Sequence, residues 1–156
     1  MSGMRQGLGL VVIIMLTFAA AGLGGLFTPG GGGDWYERPS WAPPDWVFGP
    51  VWTLLYTLMA LAAWLVWRRA GFAAAHGALG AYIVQLALNA SWTPVFFGLR
   101  MPGAAFALII ALWIAIIITV VLFAQHSAAA AWLLSPYLAW VTFAAALNLR
   151  IWQLTP

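Results

Sequence analysis

Five long apolar runs separated by short polar seams set the pattern of this chain. They extend from Leu8 to Phe27, Trp46 to Trp67, Leu79 to Gly98, Gly103 to Ala124 and Ala130 to Trp152. Each reaches the roughly 20 residues that an α-helix needs to cross a hydrocarbon core. Arg68 and Arg69, Arg100 and Arg150 stand at the seams, where long cationic side chains reach headgroups. The pattern predicts one all-α integral membrane domain over residues 1–156. Its architecture is a five transmembrane helix bundle with a long aromatic, proline-rich loop between helices 1 and 2. The other connections are short, which makes consecutive helices antiparallel neighbours.

Composition supports a lipid-facing surface. The chain is 65% hydrophobic and 6% charged, with a mean hydropathy of +0.97, whereas a soluble domain carries about 25% charged residues. The net charge of +3 comes from scattered arginines with no basic run, so nucleic acid is not an expected partner. The absence of cysteine excludes disulfides, thiolate catalysis and cysteine-ligated metals. Arg5, the following apolar run and Ala19-Ala20-Ala21 also fit a secretory signal. The run continues to Phe27, however, which favours a span. Arginine counting leaves the orientation open: Arg5, Arg68 and Arg69 lie on one side, Arg38, Arg100 and Arg150 on the other. No internal repeat is visible, which counts against an inverted-repeat transporter.

The helix faces carry the next signal. No acid or arginine falls in the middle of a span, so a charge-based proton or ion pathway is not expected. On the third span Tyr82, Gln85, Asn89, Trp92 and Phe96 share a sector of roughly 80°. Trp52, Tyr56, Met59 and Ala63 align on the second, and Tyr137, Trp140, Ala144 and Asn148 on the fifth. The fourth, with Trp113 and Thr119 along its middle, is nearly plain aliphatic. Any one such face fits packed core, with amides bonding across helices. Three together point to the lining of a cavity for a flat, mostly apolar ligand. Trp67 and Trp152 fit an interfacial belt, whereas Trp92 and Trp140 lie deeper.

Pro94 and Pro136 should interrupt the third and fifth helices and free the carbonyls of Ala90 and Trp132, either as simple kinks or in shaping the pocket rim. The pairs Ala20–Gly24, Ala21–Gly25 and Gly77–Ala81 have the small-xxx-small spacing of a helix-packing or dimer surface. His76 and His126 fall near span ends and form no metal or hydrolytic set.

Three stretches carry a resemblance. WYERPSWAPPDWVFGPVWTLLYTLMALAAWLVW (35–67), QLALNASWTPVFFGLR (85–100) and PYLAWVTFAAALNLRIW (136–152) resemble the TspO/MBR family, in order and over nearly the whole chain. The resemblance implies a five-helix membrane bundle, usually homodimeric, that binds porphyrins and synthetic isoquinoline or benzodiazepine ligands, with no required cofactor. It carries the family's pocket tryptophans onto Trp52 and Trp140, its helix-three amide onto Asn89, and Trp92 and Phe96 after it. Trp35 and the Pro39–Pro44 region fall on the loop that caps the pocket. Animal members also carry a sterol motif at the end of the fifth helix. Here the matching positions read Leu149 and Gln153, which makes sterol a poor fit.

On that resemblance the segment from Asp34 to Phe48 is expected to be a lid, the alternative being a surface anchor that lies at the headgroups. Pro39, Pro43 and Pro44 restrict its backbone, its aromatics close the cavity, and Asp34, Glu37 and Asp45 stay in water. Arg38 is the lid cation for a ligand carboxylate such as a porphyrin propionate, and Asp45 lies near a helix N-terminus, where the dipole favours it. The expected function is a membrane porphyrin receptor or sensor, with the cell (inner) membrane the favoured location. The first alternative is light-driven oxidative breakdown of bound porphyrin, with Trp52 and Trp140 as the reacting rings. The second is tetrapyrrole transport.

Overall fold

The computed structural model describes residues 2–25 and 35–155. Its secondary structure is helical, with no strand among the described residues. The helices are α1 (Gly3–Gly25), α2 (Phe48–Thr93), α3 (Pro102–Ala124), a short α4 (Ala128–Leu133) and α5 (Ser135–Leu154). Four segments are long and apolar enough to cross a membrane: Gly3–Leu23, Asp45–Gly98, Pro102–Ala124 and Ala128–Leu154.

The second of these, at 54 residues, would be about 80 Å long if straight, more than twice a hydrocarbon core. It is not straight. Gly71 has φ 78° and ψ 168° inside α2, a region essentially reserved for glycine. The limbs on either side (48–70 and 72–93) fold against each other, because Tyr56 bonds Asn89 and Met59 meets Gln85. Each pair is centred near residue 72, which makes the limbs antiparallel. Where the sequence predicts a connection of about ten residues between the second and third spans, a single residue breaks the helix. Ala60, Ala62, Ala63, Ala75 and Ala78 are buried around this turn. Small side chains at such a contact permit close backbone approach, which favours helix association in lipid.

α1 packs on α2, α3 on α2 and α5, and α4 on α2 and α3. Thr17, fully buried, shares a 2.6 Å hydrogen bond with the Tyr82 hydroxyl and joins α1 to the second limb. Near the other end of α1, Trp64 Nε1 donates to the Gln6 carbonyl at 2.8 Å. The Trp67 ring lies across Gly9, where a Cβ would come within 2.2 Å of it. Trp67 therefore also packs between helices, beyond the belt role read from its position.

Both prolines act differently from simple kinks. Pro94 opens a π-helical turn, Pro94–Gly98, in which the Leu99 amide donates to the Pro94 carbonyl at 2.9 Å. Pro136 lies in the first turn of α5, after a break at Leu134, rather than inside one continuous helix. The Trp132 carbonyl accepts a 2.7 Å bond from the Ser135 hydroxyl. Ala20 and Ala21 pack on the core instead of forming a free small-residue face, whereas Gly77 is exposed. The lead-in Gly30–Gly33, Asp34 and the Phe27 end of the first run lie outside the described residues.

Candidate functional site

A cavity of about 430 Å³ opens at the end of the bundle where the α1–α2 loop, the start and end of α2, and the end of α5 meet. The rings of Trp52, Trp92, Phe96 and Trp140 line it, with Asn89, Asn148 and Ala144 between them. Each comes from one of the three predicted faces. Trp52 and Trp140 meet nearly perpendicular, at 89°, with centroids 6.4 Å apart, and Trp92 stacks on Phe96 at 4.8 Å and 20°.

The amides are oriented by neighbours. Tyr56 donates its hydroxyl to Asn89 Oδ1. Asn89 Nδ2 donates to the Tyr137 hydroxyl at 2.8 Å, which donates to Gln85 Oε1 at 2.7 Å. Gln85 Nε2 ends the chain weakly on Met59 Sδ at 3.8 Å. Asn148 accepts from Trp92 Nε1 at 2.9 Å and donates to the Pro102 carbonyl at 2.9 Å. Each strand of this network ties different helices together, which satisfies polar atoms that would be costly alone in an apolar interior.

Of the twelve residues singled out from the sequence, nine line the cavity: Arg38, Trp52, Tyr56, Asn89, Trp92, Phe96, Trp140, Ala144 and Asn148. Three do not. Gln85 and Tyr137, both almost fully buried, lie beneath it as the far part of the Asn89 chain. Trp35 stands behind the wall, its ring 4.8 Å from Tyr36 and 5.2 Å from Phe96. Tyr82, on the same predicted face, is spent on Thr17. The indole Nε1 atoms of Trp35 and Trp140 are buried without a hydrogen-bond partner among the described residues.

Sequence reasoning missed part of the wall. Ile109 and Leu112 of α3, the helix read as plain aliphatic, line the cavity, and so does Ala21 of α1. Aliphatic residues on an aliphatic helix carry no periodic contrast, so no signal marked them. Trp113, which did stand out, instead donates its Nε1 to Thr142 on an outer face at 2.9 Å.

The loop covers the mouth. Tyr36, Arg38, Ala42 and Pro43 line it from above. Tyr36 and Trp35 pack on Phe96, with Tyr36 also against Phe97, and Trp41 packs on Phe143 at 5.8 Å. Trp46 does not join this cover and is 74% exposed. The Glu37 amide donates to the Thr155 hydroxyl at 3.1 Å, fastening the loop to the chain beyond α5. Glu37 and Asp45 are exposed, as expected of carboxylates beside water. Asp45 opens the 3-10 turn (Asp45–Val47) that leads into α2 and accepts from Arg38 Nη1 at 2.6 Å. That bond holds the guanidinium firmly in its charged form, and burial raises the Tyr36 phenol above its usual range. His76 bonds the Ala73 carbonyl on its own helix, and no group of three metal-ligating side chains occurs among the described residues.

This geometry defines a helical membrane protein with an aromatic, amide-bearing cavity under a folded loop. The sequence belongs to the TspO/MBR family, which it matches over residues 10–153. It is 42% identical over 148 residues to the tryptophan-rich protein TspO of Archaeoglobus fulgidus, covering 93% of this chain and 95% of that one. It is 43% identical over 136 residues to the human translocator protein, covering 84% and 80%. With the tryptophan-rich sensory protein of Cereibacter sphaeroides it shares 40% identity over 149 residues, covering 90% of each.

Proposed function

We propose that this protein is a membrane receptor for porphyrin-type tetrapyrroles, crossing the bilayer five times and holding its ligand in the cavity beneath the loop. The antiparallel limbs of α2 support five crossings, because each limb is about as long as a hydrocarbon core is thick. The observation that carries the ligand reading is the wall of Trp52, Trp92, Phe96 and Trp140 around about 430 Å³, with the Asn89 amide held among them. Large flat rings gain most from such faces. Synthetic isoquinoline or benzodiazepine ligands would use the same cavity. A sensing role accords with the name of the Cereibacter sphaeroides relative.

The test is a protoporphyrin IX titration in detergent, read by tryptophan fluorescence quenching in the dark. Quenching should saturate, and Trp140→Ala should weaken it about tenfold, since an aromatic face contributes on the order of 1–1.5 kcal/mol. Trp132→Ala, which removes a ring 75% exposed on the outside, serves as control. Equal affinities in both variants would remove the reading.

The close pair of Trp52 and Trp140 favours a second reading, light-driven oxidation of the bound porphyrin beside the two indoles, with dissolved dioxygen as the electron acceptor. Illuminating the saturated complex tests it. Bleaching at the same rate in Trp140→Phe would leave the receptor reading alone.

A further inference from the structure

Two charged side chains line the cavity among the described residues, and they are bonded to each other. Arg38 Nη1 meets Asp45 Oδ1 at 2.6 Å at the mouth. As built, the mouth offers an incoming anion no net charge.

We propose that Asp45 is an internal competitor for Arg38, so that an acidic ligand is admitted by carboxylate exchange: the ligand's carboxylate takes the guanidinium and Asp45 swings into water. The proposal rests on the porphyrin reading of the cavity and adds the residue that sets its preference between acidic and neutral ligands.

Three features make the exchange feasible. First, Arg38 is held at the mouth without Asp45. Its guanidinium lies 5.4 Å from the centroid of the Tyr36 ring, which is itself packed on Phe96 and Phe97. The neighbouring Glu37 amide is fastened to Thr155. Losing Asp45 therefore leaves the cation facing the cavity. Second, the pair is joined through Nη1 and Oδ1, while a guanidinium has five donors and receives a ligand carboxylate best through two parallel bonds. Third, release of Asp45 is cheap. Its side chain is 63% exposed, against 34% for Arg38, so its carboxylate is already largely hydrated. It also sits in the first turn leading into α2, where the helix dipole favours a negative charge with or without a partner. An exposed pair of this kind holds its partners only weakly, which suits a contact that must open.

The experiment compares two probes on the full chain in detergent: protoporphyrin IX, with two carboxylates, and its dimethyl ester, with none. The reading is the ratio of their affinities. Asp45→Asn keeps the shape of the side chain and removes its charge. It should shift the ratio about two- to five-fold toward the acid, the range expected from an exposed pair. Arg38→Gln should shift it the other way. If both probes saturate and Asp45→Asn leaves the ratio unchanged, the exchange is overturned and the porphyrin reading stands. If neither probe saturates in the parent protein, the porphyrin reading falls and the exchange falls with it.

Discussion

Asn89 carries the polar logic of the site. A primary amide deep in a helical bundle must find partners on both sides, and here Tyr56 supplies a donor and Tyr137 an acceptor. Tyr137 matters more, because its hydroxyl also donates to Gln85. Tyr137→Phe strands two buried groups, on Asn89 and on Gln85, whereas Tyr56→Phe strands one. Thermal unfolding in detergent should show Tyr137→Phe destabilised by about 1–2 kcal/mol and Tyr56→Phe by less. The reverse order would mean that the chain is not organised around Tyr137. Helical spacing put all four residues on inward faces without naming their partners. By spacing alone Gln85 and Tyr137 read as ligand contacts; in the fold they lie beneath the cavity, bonded in the Asn89 chain.

At the scale of elements, Gly71 decides the architecture. Its φ of 78° turns α2 back on itself, and no atom stands within 4 Å of where a Cβ would go. The demand is on the backbone alone. Gly71→Ala should cost about 1–3 kcal/mol in thermal unfolding. Gly80→Ala, at a helical position with equal free space, should hold or raise stability. Matching effects at the two sites would show that the turn tolerates an L-residue. The prolines teach a related lesson. Pro94 and Pro136 were legible as helix interruptions, but the π turn after Pro94 and the Ser135 bond that satisfies Trp132 depend on what stands nearby.

At the scale of the whole molecule, the loop and the end of the chain close the site together. The Glu37–Thr155 bond spans 118 positions in sequence, and the cluster of Phe96, Ala105, Leu147 and Ile151 packs against Trp35 and Tyr36 of the loop and Phe48 of α2. Thr155→Val removes the acceptor while keeping the shape. The exposed Glu37 amide can then turn to water, so the melting temperature should change little. On the proposed porphyrin function, ligand release followed by stopped-flow recovery of tryptophan fluorescence should quicken about two- to five-fold. An unchanged rate would mean that the aromatic packing alone holds the loop.

Length and hydropathy by themselves determined that the chain is a helical membrane protein, because the bilayer sets a fixed length for apolar runs. Periodicity determined that Trp52, Asn89, Trp92, Trp140 and Asn148 face inward, because a helix repeats its faces by local geometry. Tertiary structure decided what those faces enclose. It brought Ile109 and Leu112 into the wall, withdrew Trp35, Gln85 and Tyr137 behind it, and paired Arg38 with Asp45 at the mouth. A face belongs to one helix and is written in its spacing. A cavity is the gap left where several helices stop approaching, and that depends on the bulk and bonding of every neighbour at once.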